Sequence, residues 1–172
     1  MKKFLKVCLM LIIFSPLITG FSSCRKDVSE IQNDSLGIQN NPSLKFTKHG
    51  EVYFLDSVKN FVKKIDVEIA DNDDSRHRGL MFREDMSEDQ GMLFIFQDEE
   101  VQGFYMKNTV LSLDIIFVNA AKKIIKIHRN TTPLSERTLS SVKPALYVVE
   151  VKAGFADKHK ITEGCYIEWR RN

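Results

Sequence analysis

The chain has 172 residues, 43% of them hydrophobic and 28% charged, with 8 glycines and 4 prolines, a composition that excludes collagen-like and disordered chains and fits a single folded domain. Its formal net charge of +2 hides an asymmetry: Lys2, Lys3 and Lys6 all fall in the first 23 residues, which hold no acid, so residues 24–172 carry 22 basic against 23 acidic side chains. That near-balance provides neither the clustered basic surface that nucleic acid requires nor a polybasic membrane-binding face, and no nucleic-acid partner is expected.

The chain opens with a basic segment, residues 1–6, followed by an apolar stretch of 12 residues, 7–18, interrupted by Pro16. A helix needs roughly 20 apolar residues to cross a bilayer core of ~30 Å, so this stretch reads as the apolar region of an export signal. Gly20, Phe21, Ser22 and Ser23 lead into Cys24, and this resembles a bacterial lipobox, with Phe21 where Leu, Val or Ala is usual. The resemblance implies that Cys24 becomes the diacylated N-terminus, anchored to the inner or outer membrane with the domain in the periplasm or at the cell surface. A plain secretory signal cut near Ser22 is the alternative. Residues 24–44, rich in Asn, Gln, Ser and Asp, read as a flexible tether, which leaves residues 45–172 as the folded domain. Cys8 lies within the leader and Cys165 alone remains in the domain, which excludes an intramolecular disulfide framework and a thiolate-rich zinc site.

In the domain, apolar residues recur in short runs divided by turn chemistry, the pattern of strands. Residues 51–56 form the first candidate. Residues 62–70 alternate cleanly, with Ile65, Val67 and Ile69 on one face and Lys64, Asp66 and Glu68 on the other. The polar cluster at 71–75 offers N-cap side chains for a short helix over 76–83. Strands are predicted at 92–96, 101–107, 113–118 and 123–128, the last two joined by a hairpin turn at 119–122. Residues 129–144, with Pro133 and Pro144, read as a long surface loop. A strand over 145–152 follows, with Leu146, Val148 and Glu150 on one side, then a helical turn near 154–160 and a final strand at 165–170. About eight strands with one or two short helices make a mainly β, single-domain sandwich or barrel-like fold.

Five motifs occur in order: RGLMFR from Arg78, GMLFIF from Gly91, FYMKNTVLSLDIIF from Phe104, IHRNTTP from Ile127, and YVVEVKAGFADKHKITEG from Tyr147. Together they resemble the domain of unknown function 192 family over residues 62–169. Tyr105 stands where that family commonly has Trp, and Ser112 where a Pro is usual. The resemblance implies a mainly β fold and frequent export, and it names no activity.

The densest polar cluster within these motifs is Arg78, Lys107, Asn108, Thr109 and Asp114. Two readings stand side by side: a pocket where Arg78 and Lys107 meet a small polar or anionic ligand, or a network that satisfies backbone groups at strand ends. Met81, Met92, Met106, Phe82, Phe94, Phe96 and Phe104 likewise fit either a core or an adaptable cavity. His49, His77, His128 and His159 form no close-spaced pair, Ser140 and Ser141 lack a nucleophile elbow, and no phosphate loop is present, so no metal, cofactor or catalytic nucleophile is expected. The leading expectation is a lipid-anchored binding module of the cell envelope. A hydrolase or transferase using Asp114 with Lys107 or Arg78, and a scaffold within an envelope complex, are the alternatives.

Overall fold

The computed structural model describes residues 45–172; the expected leader (1–23), Cys24 and the tether (24–44) lie outside the described residues. The element order is β1 (Gly50–Leu55), β2 (Phe61–Ala70), α1 (Asp73–Arg78), β3 (Gln90–Phe104), β4 (Leu113–Val118), β5 (Ile124–His128), β6 (Leu139–Lys152), α2 (Phe155–Lys158) and β7 (Tyr166–Arg171). The mainly β expectation holds, as one seven-stranded sheet ordered β5-β4-β6-β3-β2-β1-β7.

Neighbouring strands pair antiparallel except β2 and β3, which run parallel and therefore need a crossover. Residues 71–89 supply it and carry α1 across one face of the sheet. The two edge strands approach each other at one end, where Lys123 bridges Tyr166 and Ile124 N donates to Cys165 O at 2.8 Å. The sheet thus curls into a half-barrel.

Two apolar layers result. The inner layer draws on all seven strands and on α2, with Phe54, Ile65, Leu93, Ile116, Val149 and Ile167 buried around Phe155. The outer layer covers the opposite face of β2, β3, β4 and β6, where Met92, Phe94, Ile115 and Phe117 lie beneath Leu80, Met86 and Met106. Burying each such large side chain contributes about 1.5–3 kcal/mol. Alternation in β2 puts Ile65, Val67 and Ile69 in the inner layer, as the pattern requires. Glu68 is not solvent-facing, however, because the crossover covers that side too and leaves it 6% exposed.

Other differences from the sequence expectation have local causes. The helix ends at Arg78 instead of 83, because Gly79 adopts φ 47° and ψ −132°, which no helix continues. Its start is set by Asn72, whose side chain accepts from Ser75 N at 2.9 Å in a reciprocal capping box. The expected strands at 92–96 and 101–107 are one strand, β3, giving seven strands in place of eight. The surface loop is shorter than expected, because β6 begins at Leu139. Pro144 is accommodated where the β3–β6 register is irregular.

The geometry of β3 decides where a site forms. Ten residues along a straight strand span about 33 Å, yet the rings of Phe94 and Phe104 lie 5.0 Å apart, edge to face. The strand must double back between them, at the register shift between Ile95 and Glu100. The far end of β3, paired with the start of β6, therefore folds over the outer layer.

Candidate functional site

Beneath this fold-back, a cross-strand row runs over the outer face: Glu68 pairs with Met92, Met92 with Glu150, Glu150 with Ile115, and Ile115 with His128. The two carboxylates of that row have opposite fates. Glu68 forms a buried ion pair with Arg83 and accepts from Thr47 N at 2.6 Å. Glu150 is 5% exposed, and its Oε2 has no hydrogen-bond partner among the described residues. Burial without a compensating charge pushes its pKa up to about 8, so at pH 7 the group is a neutral acid that both donates and accepts.

Glu150 belongs to the lining of a cavity of about 190 Å³. Phe94, Phe96 and Phe104 supply aromatic walls, packed edge to face with Phe104 between the other two at 5.0 and 6.3 Å. Leu80 and Met81 close another side, reached because the chain turns at Gly79, where a Cβ would stand 3.3 Å from Phe94 Cζ. Arg76 is held in place: its guanidinium lies 5.5 Å from the Phe96 ring centroid, donates to Ile95 O at 2.9 Å and pairs with Asp73 at 2.5 Å. His77, Arg78, Gly103 and Tyr105 are the exposed members and form the mouth. Among the described residues, no carboxylate lies within ion-pair distance of Arg78.

The five polar residues singled out from sequence are dispersed. Arg78 and Thr109 line the cavity, Thr109 with its hydroxyl donating to Lys107 O at 3.3 Å. Lys107 is exposed and outside the lining. Asn108 takes φ 55° in the turn after β3, and its carbonyl accepts from Phe82 N at 2.8 Å. Asp114 shares the inner face with Ile116 and Val118, where its two oxygens accept from Asn130 N and Ala156 N, each at 2.9 Å. It fixes a loop and the start of α2 on the side of the sheet away from Arg78. The geometry needed for an Asp114 base beside Arg78 or Lys107 is therefore not present.

The aromatic and methionine run divides between the two roles weighed for it. Met92, Phe94 and Met106 are core residues, Phe94 is also a cavity wall with Phe96 and Phe104, and Phe82 is 59% exposed. Sequence reasoning passed over Glu150 as a site residue. The signal available was a lone acid in an apolar strand, on the face it shares with Val148.

Comparison with known proteins places the motifs in context. The profile of the DUF192 family, described as "Uncharacterized ACR, COG1430", matches residues 55–169. UPF0127 protein PF1050 of Pyrococcus furiosus is 29% identical over 113 residues, covering 63% of this chain and 90% of that protein. A crystal structure from Sinorhizobium meliloti 1021, of a protein provisionally named a transcription regulator, superposes with a TM-score of 0.68 at 32% identity, covering 73% of this chain and 97% of that one. A protein of unknown function from Novosphingobium aromaticivorans DSM 12444 gives 0.66 at 31% identity, covering 69% and 84%.

Proposed function

The chain belongs to the DUF192 family, and we propose that this member is an exported, lipid-anchored module of the cell envelope that binds a small molecule in the cavity under the β3 fold-back. The observation that carries the reading is Glu150, a nearly fully buried carboxyl with an unpartnered oxygen in an aromatic-lined cavity. Leaving such a group unsatisfied costs about 1–3 kcal/mol, which a ligand that completes its hydrogen bonds recovers. A concave aromatic site with a few polar groups is the ordinary form of a small-molecule pocket.

The test is a thermal-shift screen of envelope metabolites and glycan fragments, repeated on Glu150→Leu and Arg78→Gln. A ligand that stabilises the parent chain and loses affinity in both variants, with folding retained, supports the site. Hits that bind both variants unchanged refute it. The anchor is tested separately: labelled palmitate should enter the chain and its Cys24→Ala variant should neither take up label nor partition into detergent. Membrane binding by the alanine variant would refute lipidation at Cys24.

One observation favours a scaffolding role as the second reading. Phe82, Val110 and Leu134 are 59%, 47% and 60% exposed, and hydrogen bonds from Phe82 N to Asn108 O and from Leu134 N to Thr109 O bring their segments together. Crosslinking in intact cells separates the readings, since a scaffold retains an envelope partner when Glu150 is replaced and loses it when Phe82 is.

A further inference from the structure

The polar groups around the cavity hold one acid and several donors. Arg76 is engaged by Asp73 and by Ile95 O, whereas Arg78 at the mouth has no carboxylate within ion-pair distance among the described residues. Around Glu150, β3 contributes Met92 and, one strand further, Glu68 is already paired with Arg83. On the other side lies Ile115, and beyond it His128, whose ring bonds Ser140 O at 2.8 Å. The charged and titratable side chains that share the cavity are Arg76, His77, Arg78 and Tyr105, and no ion pair joins any of them to Glu150. Buried and unpaired, a carboxyl in this setting keeps its proton and presents an O–H.

Resting on the cavity reading above, we propose that the ligand is a small organic anion, a carboxylate on an apolar body, whose charge is met by Arg78 at the mouth while Glu150 donates a hydrogen bond from within to a second oxygen of the ligand. Phe94, Phe96 and Phe104 receive the body between those two ends. An amine would bring a further cation beside Arg76 and Arg78, with no ionised carboxylate in the cavity to neutralise it. Burial of Glu150 and the two arginines thus favour the same ligand charge. Arg rather than Lys suits this role, since its planar fork matches a carboxylate with two parallel bonds.

The experiment uses the full-length chain in detergent and three probes of nearly matched shape: 4-hydroxyphenylacetate, tyrosol and tyramine, which carry an anionic, a neutral and a cationic end on the same ring. Calorimetric titration should show the acid binding most tightly. Arg78→Gln should weaken the acid by roughly ten- to a hundredfold, the range of a charge-assisted hydrogen bond, and leave tyrosol unchanged. Glu150→Gln, whose amide still donates, should hold the acid within a few-fold, and Glu150→Leu should not. Circular dichroism of each variant verifies folding. Tightest binding by tyramine, lost in Glu150→Gln, would overturn the anion assignment and leave the cavity reading standing. If none of the three binds, the anion assignment fails, and the cavity reading fails with it only if the metabolite screen is also empty.

Discussion

Replacing Glu150 with Gln keeps the shape of the side chain and abolishes its titration. In the folded chain burial raises this carboxyl from an ordinary 4.5 to about 8, so between those values the unfolded chain releases the proton while the folded chain holds it. The unfolded state then binds fewer protons, and stability must fall as pH rises. The full stability is present below about pH 4.5, declines at about 1.4 kcal/mol per pH unit, and levels off above about pH 8. For the parent chain the loss amounts to about 1 kcal/mol at pH 5 and about 4 kcal/mol at pH 8. The Gln variant lacks this loss, and any penalty for burying its amide does not vary with pH. Other titrating groups are common to both chains and cancel in the difference. Urea denaturation of both chains at pH 5, 6, 7 and 8 should therefore show the variant gaining about 3 kcal/mol on the parent across the series. A constant offset between the two chains would refute the argument, because it would mean that Glu150 ionises equally in the folded and unfolded states.

Asp114→Ala removes the acceptor for two backbone N–H groups, at Asn130 and Ala156, and should destabilise by about 3 kcal/mol or more in urea denaturation; unchanged stability would show that these bonds do not hold α2. Glu68→Leu or Arg83→Met alone breaks a pair buried on both sides and should cost about 3–5 kcal/mol, whereas the two replacements combined should cost less than the two singles together, as a double-mutant cycle will read. Gly79→Ala should cost about 1–3 kcal/mol, because an L side chain at φ +47° is strained. It should also weaken binding of the cavity ligand, since the new Cβ presses on Phe94; a Tm equal to the parent's would count against the strained turn.

Much of the architecture was legible because it rests on local rules. Period-two alternation marked β2 and its inward face, the 119–122 segment was placed as a hairpin turn, and the strand at 113–118 was located to the residue. The capping cluster at 71–75 announced a helix whose cap proved to be Asn72. Sequence alone could not stop that helix at Gly79, since a glycine's conformation is chosen by what surrounds it. It could not join two apolar runs into one β3 either, because the polar stretch 97–100 that separates them is the place where a continuous strand bends.

The candidate site was less legible, for a physical reason. Neighbours along the chain need not be neighbours in space: Asp114 follows Asn108 and Thr109 closely in sequence, yet strand parity turns it to the inner face, where backbone amides of a distant loop and helix donate to its two oxygens. Local alternation and the positions of the cysteines determined that the chain holds a mainly β domain without a disulfide framework. Which of its acids stays uncharged was decided by the tertiary structure alone. The crossover that brings Arg83 to Glu68 brings no ion-pair partner to Glu150, and the fold-back of β3 covers Glu150 with aromatic rings. The same residue type, two positions apart along one cross-strand row, becomes a salt-bridged anchor in one case and a proton-holding acid in the other.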